Sequence, residues 1–152
     1  PVQNIDQVIN TSNPSPGSVE GVSNPVLGQA PSLFCTHEMT VAAAANLLYF
    51  ARFVDASNWV RKVPAAGGGV KVEQCVGGVV TTVIPTQAGA FGAGTSSLKF
   101  EAGALPADPH VVTLLKDGVV VATGTTTMKT GLDWAFQGSA HPALTRIRVT
   151  AN

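Results

Sequence analysis

Cys35 and His37 stand two positions apart in the run Phe34-Cys35-Thr36-His37-Glu38. A thiolate beside an imidazole is a nucleophile with its base. On a strand, however, positions i and i+2 are ordinary neighbours on one face, and that plainer reading is the one adopted here. The acids Asp6, Glu20, Glu38, Asp55, Glu73, Glu101, Asp108, Asp117 and Asp133 are strung out singly, several of them where Asp is a good turn former. Glycoside hydrolysis needs two carboxyl groups roughly 5 to 10 Å apart across the scissile bond, and no strand pattern supplies such a pair. His37, Glu38, His110 and His141 lack metal-ligand spacing. Residues 85–97 are rich in glycine but lack the Gly-x-x-x-x-Gly-Lys-Ser/Thr order of a phosphate-binding loop. An enzyme is therefore not expected, nor a metal, nor a cofactor.

The elements that must position these residues read as strands. Val60 and Lys62 alternate with Trp59, Arg61 and Val63, the two-residue period of a strand. Pro64 and Gly67-Gly68-Gly69 end that run. Val70, Val72, Gln74 and Val76 then alternate with Lys71, Glu73 and Cys75, and Gly77-Gly78 turns the chain into the β-branched run 79–84. Further on, 98–101 alternates, and 110–116 returns through Asp117-Gly118 into 119–123 as a two-residue hairpin. Residues 132–136, carrying Trp134, and 144–150 complete the set. In the last strand Leu144, Arg146 and Arg148 face one way, Ile147 and Val149 the other. The alanine run Ala42-Ala43-Ala44-Ala45 suits a helix, but it lacks polar positions at helical spacing and is broken by Asn46. Strands over 39–44 and 47–53 are expected instead, with the small side chains admitting a close neighbour.

The first 31 residues differ in kind. They hold Pro14, Pro16, Pro25 and Pro31 among Asn, Ser and Gly, with no sustained period, a composition that cannot offset its own ordering entropy. Yet Val2, Ile5, Val8, Ile9, Val22, Val26 and Leu27 are more apolar anchors than a linker needs. Residues 1–31 are read as an extended N-terminal arm that lies across a neighbouring subunit, and 32–152 as one folded domain. Phe91, in the glycine-rich loop, is a further contact candidate.

Composition narrows the partners. Of 152 residues, 45% are hydrophobic and 12% charged, and the formal net charge is zero. A neutral chain has no electrostatic footprint for nucleic acid, and no segment has the apolar length of a membrane-spanning helix. So few charges fit a protein packed against partners. Cys35 and Cys75 match neither a CxxC motif nor a disulfide framework; two buried thiols, formed in a reducing cytoplasm, are expected. The start, Pro1-Val2-Gln3-Asn4, shows neither the basic residues nor the apolar run of a signal peptide.

Several of these motifs together resemble the laminin-G-like and concanavalin-A-like lectin and glucanase domains. Ala51-Arg52-Phe53, Asp55 and Asn58-Trp59 match the step that enters a strand there, Gly67-Gly68-Gly69 the turn, and Gly78-Val79-Val80-Thr81-Thr82 the exit strand. Leu98-Lys99-Phe100-Glu101, Leu115 to Ala122 and Thr145 to Val149 are similar too, so the resemblance spans about 38–150. It implies an all-β fold: a two-sheet antiparallel β-sandwich of jelly-roll, concanavalin-A-like type. It also implies a possible surface glycan as ligand, stacked on Trp59 or Trp134 with Asn58 nearby, and a weak calcium site at most, through Asp55 and Asp108.

A sandwich with few charges, no catalytic set and a long arm also looks like bacteriophage capsid cement or decoration proteins. On that likeness the chain is read as a virion structural protein, assembled in the host cytoplasm, which clamps the major capsid protein and copies of itself as a dimer or trimer. A carbohydrate-binding module, or a tail or fibre component, is the alternative.

Overall fold

The computed structural model describes residues 4–8, 28–41, 48–88, 93–137 and 144–152. Among these are twelve strands: β1 (Asn4–Val8), β2 (Gly28–Gln29), β3 (Cys35–Val41), β4 (Leu48–Asp55), β5 (Asn58–Ala65), β6 (Gly69–Val76), β7 (Val79–Gln87), β8 (Gly94–Glu101), β9 (His110–Lys116), β10 (Val119–Thr126), β11 (Asp133–Gln137) and β12 (Leu144–Ala151). They form two six-stranded sheets, in the orders β1-β12-β3-β8-β9-β10 and β2-β11-β4-β5-β6-β7, with antiparallel pairing throughout. The chain is thus the two-sheet antiparallel β-sandwich that the resemblance implies.

Turn chemistry explains the hairpins. Asp117 and Gly118 have φ of 49° and 81°, and Gly77 and Gly78 have 58° and 83°. Two successive positive φ values make the turn whose twist matches a two-residue hairpin. Strands are expected at 39–44 and 47–53; β3 and β4 stand at Cys35–Val41 and Leu48–Asp55. The whole alanine run, Ala42 to Ala45, and Phe91 lie outside the described residues.

Alternation then builds the core. Tyr49, Val60, Val72, Phe100, Leu114, Trp134 and Ile147 are buried between the sheets, each large side chain contributing roughly 2 kcal/mol by leaving water. The intervening residues Phe50, Trp59, Cys75 and Ala135, with Phe53, form a second buried cluster on the opposite face of the second sheet. Trp59 and Val60 therefore face opposite ways, as their alternation predicts, and Ile147 and Val149 are buried while Arg146 and Arg148 are exposed. Lys62 also points inward, where its Nζ donates to Ser96 Oγ on β8; burial, and then the charge of Lys116, lowers its pKa to about 8.

Within the first 31 residues, β1 pairs with β12 of the same chain, Ile5 opposite Val149 and Val8 opposite Arg146. Gly28 and Gln29 pair with β11. Val2, Ile9, Val22, Val26 and Leu27 lie outside the described residues. Cys35 and Cys75 are both free and buried, one between the sheets and the other in the outer cluster.

Candidate ligand face at the Arg52 end

An irregularity in β4 creates the most unusual feature of the molecule. Its register with β5 shifts between Ala51 and Asp55, and Arg52 has a φ of 50°, a left-handed conformation uncommon outside glycine. Gly131, itself at φ 97°, lies against the Arg52 carbonyl, so close that a side chain there would collide with it. The bulge breaks the strand's alternation. Ala51 and Arg52 both turn inward, and Phe53 is left to the outer cluster.

The guanidinium is consequently buried and acts as a junction for one end of the sandwich. Nη1 donates to the Met128 carbonyl at 2.6 Å and to His110 Nδ1 at 2.8 Å, and Nη2 donates to the Leu33 carbonyl at 2.9 Å. Its carbon sits 4.4 Å from the centre of the Phe100 ring, whose face attracts a cation. Nε makes no hydrogen bond. Burial lowers the Arg52 pKa to about 10, so the group keeps its charge at neutral pH. Arginine has no acceptor, which makes His110 Nδ1 the unprotonated ring nitrogen. Burial, then Arg52, then Lys129 hold that imidazole below its ordinary pKa.

Loops braced in this way present their side chains outward. Lys129 Nζ ties the β10–β11 loop to the β8–β9 loop through the carbonyls of Pro106 and Ala107. Phe34 is 36% exposed, and its ring centre lies 4.9 Å from that of His110. Its backbone is pinned on both sides: the N–H donates to Ser32 Oγ, and the carbonyl accepts from the N–H of Asn152. The Asn152 side chain in turn accepts from Thr36 Oγ1 and donates to the Phe100 carbonyl. Val54, Leu105 and Leu132 are exposed around the same end.

Deeper between the sheets, His37 connects two further groups. Its Nδ1 lies 2.7 Å from Tyr49 Oη and its Nε2 3.2 Å from Cys35 Sγ. Burial raises the Cys35 pKa to about 11 and, with the Arg52 charge, lowers that of His37 to about 3. Both are therefore neutral at pH 7, and the thiolate that nucleophilic chemistry needs is absent. A phenol donates more strongly than a thiol, so Tyr49 supplies the proton to Nδ1 and Nε2–H points to sulfur. This is a core contact between strand neighbours, in keeping with the plainer sequence reading.

The residues expected to contact sugar stand elsewhere. Asn58 closes two turns: Nδ2 donates to Asp55 Oδ1 and Oδ1 accepts from the N–H of Gly77. Trp59 is 6% exposed, donates Nε1–H to the Ala56 carbonyl, and is covered by Arg61 at 4.3 Å. Arg61 and Lys71 both pair with Glu73. Burial alone would raise the Glu73 pKa, but these two partners outweigh it and hold it low. Trp134 has no exposed surface; it stacks on Tyr49 and faces Gly28, where any side chain would collide with the indole. The three residues are not brought together into one face. Asp55 binds the Ser57 N–H and Asp108 the Leu105 N–H, both in turns, and among the described residues no cluster of acids, histidines and cysteines could hold a metal. Sequence reasoning missed Phe34 and the inward turn of Arg52. The available signal was Arg52 inside an otherwise apolar strand.

No protein-family description matches the chain, and no curated protein matches it in sequence. Solved structures do resemble it. A protein of unknown function from Shewanella oneidensis MR-1 is 17% identical with a TM-score of 0.51, covering 77% of this chain and 56% of that one. The carbohydrate-binding module CBM66 from Bacillus subtilis is 16% identical with a TM-score of 0.46, over 82% of this chain and 73% of that one. A homodimeric agglutinin from chicken liver, CG-16, is 12% identical with a TM-score of 0.38, over 98% and 92%. At these identities the likeness concerns the fold.

Proposed function

We propose that this chain is a non-catalytic recognition module that binds a carbohydrate at the Arg52 end, with Phe34 as the stacking surface. The observation that carries this reading is an exposed aromatic ring on a backbone held from both sides. A pyranose offers a C–H face to such a ring and hydroxyls to polar groups beside it, so a rigid apolar platform with a few hydrogen-bonding neighbours is a suitable partner. Preorganisation by Arg52 reduces the ordering cost of binding. The test is a glycan array probed with the wild-type chain and with Phe34→Ala, whose fold is checked by circular dichroism. Saturable binding lost in the variant supports the reading. A wild-type protein that binds no glycan overturns it.

A second reading, assembly, is favoured by the aliphatic side chains at the same end. Leu105 is 65% exposed. Val79 and Val80 are exposed on the β6–β7 hairpin, whose Gly78 N–H is bonded to the Ser57 carbonyl of the neighbouring turn. Exposed apolar surface of this kind suits a protein partner. Here the chain is a virion subunit of capsid-decoration type that meets the major capsid protein and copies of itself. Light scattering that gives a monomer, together with positive glycan binding, would reject it.

A further inference from the structure

One of the bonds that brace these loops has a chemistry that reverses in acid. His110 Nδ1 can accept from Arg52 Nη1 at 2.8 Å only while that nitrogen is unprotonated. A proton there turns the acceptor into a donor and sets two cations against each other inside a buried contact. We propose that the Arg52–His110 contact is an acid-sensitive clasp, whose protonation at His110 loosens the loops around Leu33 and Met128 and weakens the support behind Phe34.

The surroundings of His110 favour this role. Both charged groups that act on it are cations, Arg52 from β4 and Lys129 from the β10–β11 loop. Asp108, the nearest acid in sequence, is turned to the Leu105 N–H. The Phe34 ring packs against the imidazole, and Thr126 is its partner on β10. Nothing named here stabilises a second positive charge. His110 is held below its usual value, so the clasp stays closed at neutral pH and opens below the ordinary histidine range. Arg52 is also near His37, but His37 titrates at about 3, well below the window of His110. Arg52 still holds the Leu33 and Met128 carbonyls when the His110 bond breaks, so the expected event is local loosening of the loops.

As regulation of the proposed ligand face, the clasp rests on that reading; its test needs no ligand, so a negative glycan screen leaves it intact. Hydrogen exchange of peptides covering residues 28–34 and 127–132 is measured at about pH 7.5 and about pH 5.5, corrected for the intrinsic pH dependence of exchange. Wild-type protection should fall by about tenfold in acid, because the opened loop lets His110 take up a proton below the ordinary 6.5 while the closed clasp resists it. In His110→Gln, whose amide oxygen can accept from Arg52 and does not titrate, these peptides should lose no more protection than the core strands, which share the loss from His37. Equal wild-type protection at both, or the same acid loss in the variant, overturns the clasp. NMR titration of the wild-type ring provides a measurement that does not depend on the variant's folding. The imidazole should titrate together with shifts in the Leu33 and Met128 amides, and a ring that titrates without them counts against the proposal.

Discussion

Tyr49 Oη lies 2.7 Å from His37 Nδ1 across the space between the two sheets, and both residues are buried. Tyr49→Phe keeps the ring stacked near Trp134 but leaves a buried imidazole nitrogen without its donor. The substitution should cost about 1 to 3 kcal/mol, read by urea denaturation as a lower midpoint with an unchanged slope.

Stability should fall in acid. His37 is neutral in the folded chain, with a pKa of about 3 against an ordinary 6.5, so below 6.5 the unfolded chain takes up a proton that the folded one refuses. Its contribution is complete above 6.5 and declines as pH falls toward 3. Near pH 5 the loss amounts to about 2 kcal/mol from His37, and His110 adds to it in the same direction. Urea midpoints at pH 7.5 and pH 5 measure it, and a flat profile would contradict a neutral buried His37.

Arg52→Met fills much of the same space but strands the Leu33 and Met128 carbonyls and His110. A loss of about 3 kcal/mol is expected from these unmade bonds. Faster hydrogen exchange should concentrate in the peptides around Leu33 and Met128. Uniform exchange across the sandwich would argue against a junction of loops.

Two glycines separate backbone strain from contact. Gly118 has φ 81° and open space around it, whereas an added side chain at Gly124 would collide with the Val83 carbonyl, where β10 packs against β7. Gly118→Ala should cost about 1 kcal/mol, and Gly124→Ala more, about 3 kcal/mol or above. Thermal melts of the two variants would reveal a reversed order.

Neither thiol should react in the native state. Cys35 is buried with its pKa raised to about 11, and Cys75 is buried in the outer cluster. A thiol reagent such as dithionitrobenzoate should label both only after denaturation. Rapid native labelling of Cys35 would mean that the sandwich opens at its strand.

How much of this could be read in advance depends on the range of the interactions concerned. The period of two in Trp59 to Val63 and in residues 70–76, and the Gly77-Gly78 and Asp117-Gly118 turns, are local properties. Steric limits on φ and the alternation of side chains act within a few residues, so strands, hairpins and a two-layer fold followed from sequence. Tertiary structure decided the site. Whether Trp134 or Phe34 meets solvent depends on which strands lie beside them, and composition treats the two aromatics alike. Arg52 turns inward only because β4 bulges between β5 and β11, and its partners His110 and Met128 stand 58 and 76 residues away. A buried guanidinium can persist only where such distant carbonyls and rings converge to replace its water, and that convergence belongs to the packed sheets, beyond what any stretch of the chain specifies alone.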